Sequence, residues 1–183
     1  NPLNVTMDQD RVINAYFVAS NVVAWDFFDR ADEPSLAVGG NWQQPFGGGF
    51  VNLTNNHVLG ASGEALYYWQ GAGAFDNARQ FARARVVQAS GQVGLVLLGA
   101  SGQGLVVAWT NGTLYIYWYL NGSQVGQLAV VSSTIHDGDE IEALLEQGTV
   151  YAKINGGVVT SVANTTSLTS GTPGFETYQA GAI

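Results

Sequence analysis

Asn-Gly pairs recur in the second half of the chain, at positions 111–112, 121–122 and 155–156. A two-residue type I′ turn needs a positive φ at both of its central residues, and Asn and Gly adopt that conformation at little cost. Each pair lies between short segments rich in Val, Ile, Leu, Tyr and Trp. The spacing therefore predicts consecutive antiparallel β-hairpins.

Short apolar segments separated by turn residues continue along the rest of the chain. No segment keeps an apolar period of 3.6 residues, and turn signals return about every 8–12 residues, which is typical of an all-β sandwich. The segment Val93–Leu98 is apolar apart from Gly94 and predicts a strand buried on both faces. The other strands predicted here are Ala65–Trp69, Leu105–Trp109, Thr113–Leu120, Val125–Val131, Glu140–Glu146, Thr149–Ile154 and Val158–Val162.

Charged residues make up 11% of the chain, and the formal net charge is −8. Binding to a phosphate backbone needs clustered cations, so this composition argues against a nucleic-acid partner. The one basic group, Arg79, Arg83 and Arg85, fits a solvated strand face. The chain contains no cysteine, which excludes disulfides and thiolate metal sites. No apolar run approaches the roughly 20 residues of a membrane helix, so we expect no membrane insertion.

The order of residues between Asp26 and Trp69 gives a more specific indication of the fold. The pattern D-x-F-x-R-A-D is followed by Trp42, G-G-G-F, N-x-x-x-G and an aromatic strand. It resembles the first third of bacterial and phage surface domains of the concanavalin A-like lectin/glucanase superfamily, which are relatives of laminin-G modules. The resemblance covers about residues 24–178 and implies a two-sheet antiparallel jelly-roll β-sandwich. It implies much less about function, because this fold hosts lectins, glycosidases, lyases, adhesins and virion proteins.

The first 18 residues predict two short strands, Leu3–Met7 and Val12–Val18, around a turn. Their order, N-P-x-x-V-T-M-D, resembles the closing hairpin of a repeat from bacterial surface proteins. We therefore expect an N-terminal extension and linker at residues 1–23 and the sandwich at residues 24–183. A lone hairpin is marginal in water. We expect these strands to fill an open sheet edge, in their own sandwich or in a neighbouring subunit during self-assembly.

Acidic residues and histidines provide few signs of catalysis. Glu140, Glu142 and Glu146 share one face of a predicted strand. Glycosidases of this fold place their carboxylates on alternate residues of one strand, but the glucanase signature E-x-D-x-x-E is missing. We therefore expect this face to be solvated. His57 and His136 lie in predicted turns without metal-ligand spacing, so we expect them to be structural or exposed.

Asp26, Asp29 and Asp32 are weak candidates for a calcium site, because hard cations prefer carboxylate and carbonyl oxygens. The alternative is that Arg30 pairs with one of these aspartates and holds the first turn in place. We favour the ion pair and expect no cofactor, with Ca²⁺ as the exception to be tested.

The predicted strand Thr113–Leu120 is unusually aromatic. Alternation puts Tyr115, Tyr117 and Tyr119 on one face and Trp118 on the other. The tyrosines form either a stacking platform for sugar rings or a surface covered by a loop, the N-terminal hairpin or a partner subunit. We expect them to be exposed or buried at an interface. Truncating Tyr117 should then cost less stability than truncating Trp118.

Tryptophans near the strand ends are further candidates for a groove. Trp42 is predicted to lie in the core, given its place in the motif. The candidate ligand-binding residues are therefore Tyr115, Tyr117, Tyr119, Trp109 and Trp69.

These observations favour a non-catalytic module for carbohydrate binding or adhesion, located extracellularly or on a cell or virion surface. Its expected partner is a glycan or a cell surface. The alternative is a structural subunit of a filament or phage virion without a glycan ligand. A glycan-cleaving enzyme is the third hypothesis, and the missing carboxylate signature is the reason for expecting no enzyme.

Overall fold

The computed structural model describes residues 41–44, 49–54, 57–71, 75, 77–178 and 183. The predicted N-terminal extension, residues 1–23, and the candidate calcium ligands Asp26, Asp29 and Asp32 lie outside the described residues. The strands are β1 (Trp42–Gln43), β2 (Phe50–Thr54), β3 (His57–Ser62), β4 (Glu64–Trp69), β5 (Arg79–Arg85), β6 (Gln92–Ala100), β7 (Gln103–Thr110), β8 (Thr113–Leu120), β9 (Ser123–Ser132), β10 (Glu140–Glu146), β11 (Thr149–Ile154), β12 (Gly157–Ala163) and β13 (Thr172–Tyr178).

The strands form two main antiparallel sheets. The larger has seven strands in the order β1-β4-β13-β6-β7-β8-β9, and the smaller has four in the order β12-β11-β10-β5. Strands β2 and β3 form a separate hairpin, and the backbone of β3 exchanges two hydrogen bonds with Ile183, through Val58. The predicted all-β, two-sheet jelly-roll sandwich is confirmed. Among the described residues there is no helix long and apolar enough to cross a membrane.

The hairpin turns adopt the conformation that the Asn-Gly pairs predict. The φ angles are +49° at Asn111, +53° at Asn121 and +49° at Asn155, and the glycine that follows each also has a positive φ. Asn tolerates this left-handed region better than most residues because its short polar side chain can hydrogen-bond locally. These turns fix the antiparallel register of β7 with β8, β8 with β9 and β11 with β12.

The main core lies between the two sheets. Alternate residues of β6, β7 and β8 face the smaller sheet and are almost completely buried. The predicted two-sided burial of the Val93–Leu98 segment is confirmed, since every residue in it is buried. The inner side chains from the two sheets include Leu95, Leu97, Leu105, Val107, Trp109, Leu114, Ile116, Ile141, Ala143, Leu145, Val150 and Ala152.

The other face of the smaller sheet carries an ion-pair network. The Glu142 carboxylate accepts hydrogen bonds from Arg83 Nε at 2.9 Å and Lys153 Nζ at 2.7 Å. Burial alone would raise the pKa of Glu142, but these cations outweigh it and hold the pKa below its ordinary value. Arg79 pairs with Glu146 at 3.0 Å. The predicted solvated face is therefore wrong for Glu142, which is only 8% exposed because its neighbours on β5 and β11 cover it.

Candidate functional site

The outer face of the seven-stranded sheet, meaning the side turned away from the smaller sheet, carries a second cluster of buried side chains. Strand alternation separates these residues from the main core, because neighbouring residues point to opposite faces. The cluster consists of Leu66, Val96, Val106, Ala108, Tyr117 and Tyr119, with Tyr115 packed against them.

The structure confirms that the three tyrosines share one face but shows that their expected exposure is wrong. Tyr117 is 7% exposed and Tyr119 is 6% exposed, while Tyr115 is half-buried. Trp118, on the inner face of β8, is itself only half-buried. It lies over Gly126 of the edge strand β9, where a side chain would meet the indole nitrogen at 2.9 Å. Because Tyr117 is the more buried of the two, we expect its truncation to cost at least as much stability as that of Trp118.

The tyrosine hydroxyls reach across the sheet to carboxyl groups on distant strands. The Tyr117 hydroxyl lies 2.7 Å from both carboxyl oxygens of Glu176 and donates to that group. Gln92 Nε2 donates to the same hydroxyl at 3.0 Å. The Tyr119 hydroxyl donates to Glu64. We call these five residues, Glu64, Glu176, Tyr117, Tyr119 and Gln92, the outer-face network.

Burial determines the protonation of this network. Glu176 is completely buried, and burial raises its pKa well above the ordinary value, assisted by the hydrogen bond and the charge of Glu64. The raised pKa favours the neutral, protonated form of the Glu176 carboxyl group. Burial and the nearby carboxyl groups also raise the pKa of Tyr117 and of Tyr119, which keeps both hydroxyls protonated as donors.

A row of polar side chains borders the network at one end of the sheet. Tyr178 faces Glu64 on one side and Gln92 on the other. Val93 of β6 pairs with Trp109 of β7 in an antiparallel register, so the adjoining residues Gln92 and Thr110 lie opposite each other. Thr110 faces Thr113, and Thr113 faces Ser132. We call this set the polar row: Glu64, Tyr178, Gln92, Thr110, Thr113 and Ser132.

Glu64 and Gln92 belong to both sets, and the polar row is accessible whereas Glu176, Tyr117 and Tyr119 of the network are buried. Tyr178 is 38% exposed, Ser132 is exposed, and the other four members are partly exposed. Alternation places all six on the outer face, in step with Leu66, Glu176 and Ala108. The row therefore presents hydroxyl, carboxamide and carboxyl groups and one aromatic ring to a molecule lying across the sheet.

A cavity of about 370 Å³ adjoins the polar row at Thr110. Its wall combines Trp109 and Ile135 with hydroxyl groups and exposed backbone of the surrounding turns. Ligand pockets in proteins usually measure about 300–1,000 Å³, so this volume accommodates a small polar group. The full lining is Ala89, Ser90, Gly91, Trp109, Thr110, Asn111, Gly112, Ser133, Thr134 and Ile135.

The two candidate tryptophans do not lie on the outer face. Trp109 is 1% exposed, belongs to the main core and donates from Nε1 to the Ser133 hydroxyl at 3.3 Å. Trp69 packs edge-on against Trp42, with ring centroids 5.2 Å apart. Trp42 also packs against the main core, as predicted. Of the candidate ligand-binding residues, the structure thus groups the three tyrosines together on the outer face, whereas Trp109 belongs to the main core and lines the cavity described above.

The histidines lie away from this face. His57 is in β3 of the separate hairpin, and His136 is exposed in a turn, 3.5 Å from Asp139. No group of three His, Cys, Asp or Glu side chains suited to a metal ion occurs within the described part of the chain.

Sequence reasoning missed Glu64, Glu176, Gln92 and Tyr178. A weak signal was available, since a glutamate inside an otherwise apolar or aromatic strand, as in F-E-T-Y and G-E-A-L-Y-Y-W, is unusual. What could not be foreseen is that β13 lies between β4 and β6. That arrangement brings the two glutamates together from opposite ends of the described chain.

Comparison with solved structures supports the fold. Carbohydrate binding module CBM66 from Bacillus subtilis is similar with a TM-score of 0.61 and 13% identity, covering 78% of this chain and 91% of the module. A Bacillus subtilis protein of unknown function with a galectin-like fold has a TM-score of 0.58 and 14% identity, covering 84% and 91%. A lichenase from a mouse hindgut metagenome has a TM-score of 0.48 and 12% identity, covering 86% and 83%. No protein-family model and no curated protein sequence matches the chain.

The prediction that the chain is not an enzyme is wrong. It assumed that catalytic carboxylates would have to share one strand, whereas Glu64 and Glu176 meet on the outer face from neighbouring strands. The missing E-x-D-x-x-E signature therefore does not exclude an enzyme. The chain has the fold of the concanavalin A-like lectin/glucanase superfamily, as the sequence resemblance implied.

Proposed function

We propose that the chain binds a glycan on the outer face of the seven-stranded sheet, along the polar row. The observation that carries the proposal is the continuity of this row, which crosses strands β4, β13, β6, β7, β8 and β9 with a polar side chain on each. A face that served only for packing would place apolar residues there.

The chemistry of the polar row suits sugar hydroxyls, which both donate and accept hydrogen bonds. Thr110, Thr113 and Ser132 offer hydroxyl groups of the same kind, while Gln92 offers a carbonyl oxygen and Glu64 a carboxyl group. The exposed ring of Tyr178 supplies an apolar surface with a polar tip. A few polar groups around an aromatic surface are the usual composition of a small-molecule site.

The outer-face network supports the row from beneath. Gln92 Nε2 donates to the Tyr117 hydroxyl, and Gln92 also hydrogen-bonds with Glu176. These bonds engage the amide nitrogen and leave the carbonyl oxygen of Gln92 to accept from a ligand. Side chains held by such supporting bonds lose less entropy when a ligand binds.

The fold comparisons agree with this proposal. The Bacillus subtilis CBM66 structure is that of a carbohydrate binding module, and it has the same fold. We extend the proposal to adhesion at an extracellular or cell surface, where glycans are displayed. The expected partner is thus a glycan that lies across the sheet, with the 370 Å³ cavity receiving a group beside Thr110.

A glycan array followed by calorimetry tests the proposal. Tyr178→Ala and Gln92→Ala should each weaken binding about tenfold or more, because each removes a direct contact worth about 1–3 kcal/mol. The matched control is Tyr151→Ala, since Tyr151 is a half-buried tyrosine on the far face of the smaller sheet. An array without any bound glycan, or equal affinities for all three variants, would contradict the proposal.

A further inference from the structure

Charge is divided between the two sheets. The described Lys and Arg residues all lie on β5 or β11 of the smaller sheet, and β10 carries the carboxylate partners of Arg79, Arg83 and Lys153. The strands of the seven-stranded sheet, within the described residues, contain no Lys, Arg or His. The cations concerned are Arg79, Arg83, Arg85 and Lys153.

The outer face of the larger sheet carries only acidic and phenolic titratable groups among the described residues. Glu64 is a partly exposed carboxyl group of the polar row, and Glu176 is a buried carboxyl group on the neighbouring strand β13. The phenols of Tyr117 and Tyr119 donate hydrogen bonds to these two carboxyl groups. The chain as a whole adds a formal net charge of −8.

We propose that the outer-face site selects uncharged glycans and excludes polysaccharides bearing carboxylate or sulfate groups. This inference rests on the proposed glycan binding and names the class of glycan. An anionic sugar bound along the polar row would lie beside the partly exposed carboxyl group of Glu64. No cation on the described strands of that sheet would compensate it. Like charges brought together in a partly desolvated site disfavour the wrong ligand, which is how binding sites often reject close analogues.

The size of the effect follows from Coulomb's law. At the effective dielectric constant of about 20 that applies near a protein surface, two like charges separated by a sugar's width repel enough to weaken binding roughly tenfold or more. The exclusion should diminish as salt is added, because partly exposed charges are screened.

The first experiment compares neutral polymers with derivatives that carry added carboxylate groups. Dextran, mannan, inulin and a β-glucan are measured beside their carboxymethylated forms, at low and at high salt. We expect at least one neutral polymer to bind, and its carboxymethylated form to bind about tenfold more weakly at low salt. Equal or tighter binding of the carboxymethylated form would overturn the selectivity while leaving the proposed function standing. Failure of every polymer, together with an empty glycan array, would overturn both.

The second experiment adds a cation at the exposed end of the polar row. Ser132→Lys should raise the affinity for the carboxymethylated polymer relative to its parent severalfold. Ser161→Lys is the matched control, because Ser161 is an exposed serine on β12 of the smaller sheet. Both sites are exposed strand positions, so both variants should fold. The quantity compared is the affinity for the carboxymethylated polymer divided by the affinity for the neutral polymer. If this ratio changes equally in the two variants, net charge rather than the outer-face site sets the preference, and the inference is refuted.

Discussion

Replacing Glu176 with Gln removes an ionisable group from the outer-face network while it keeps the side chain's size and an oxygen that can accept from Tyr117. The wild-type carboxyl group is completely buried. Burial, the hydrogen bond with Glu64 and the charge of Glu64 raise its pKa well above the ordinary 4.5. The substitution therefore tests whether the folded chain holds this group in its neutral form.

The raised pKa predicts the direction of the pH dependence. A group whose pKa is raised by folding stabilises the fold fully below its ordinary value, and this stability is lost as the pH rises toward the folded pKa. Gln does not titrate. Between the ordinary pKa of 4.5 and the raised pKa of the folded state, the free energy of unfolding of the wild type should therefore fall, relative to the variant, by about 1.4 kcal/mol per pH unit.

Urea unfolding followed by tryptophan fluorescence, from about pH 2 to about pH 8, measures this difference and covers the acidic range in which the control changes. Glu142→Gln is the matched control, because ion pairs lower the pKa of Glu142 and reverse the sign. That variant should be less stable than the wild type by about 1–3 kcal/mol near neutral pH, with the gap closing as the pH falls. If the wild-type and Glu176→Gln curves run parallel across the range, the reasoning is refuted.

Three further substitutions test the geometry of the fold. Tyr117→Phe should lower the free energy of unfolding by about 1–3 kcal/mol, because the buried Glu176 loses a hydrogen-bond donor. Tyr115→Phe, at a half-buried site, should change the free energy of unfolding by less than about 0.5 kcal/mol. Equal losses in the two variants would contradict the outer-face network. Gly94→Ala would put a Cβ 2.9 Å from Glu176 Oε2 and should cost about 1–3 kcal/mol; an unchanged melting temperature would contradict that packing. Asn121→Val, at a φ of +53°, should cost about 1–2 kcal/mol, while Asn121→Gly should cost far less; similar melting of the two would argue against a left-handed turn.

Local structure followed closely from local sequence. The predicted bounds Thr113–Leu120, Glu140–Glu146 and Thr149–Ile154 coincide with β8, β10 and β11. Turn residues end strands because of their own backbone preferences. Successive side chains of a strand point to opposite faces of the sheet, so the geometry of a single strand decides which residues share a face. Both effects act within a few residues, so no knowledge of the other strands is needed. For the same reason the shared face of Tyr115, Tyr117 and Tyr119 was predicted correctly.

The exposure of those tyrosines was not predictable in the same way. Whether a ring is exposed depends on the neighbouring strands. Here β6 and β7 present Gly94 and Ala108 beneath the network, so the Tyr117 side chain can extend across them to Glu176. Glu142 was misjudged for a related reason, because its cations come from β5 and β11.

The sequence by itself thus determined strands β4 and β6 to β12, their hairpin turns, the jelly-roll resemblance and the scarcity of cations. Only the tertiary structure decided the candidate site. The site depends on β13 lying between β4 and β6, which puts Glu64, Tyr178 and Gln92 side by side and buries Glu176 beneath them. Pairing between strands so far apart in the chain is decided by the packing of the whole sandwich. No local preference of these residues carries that information.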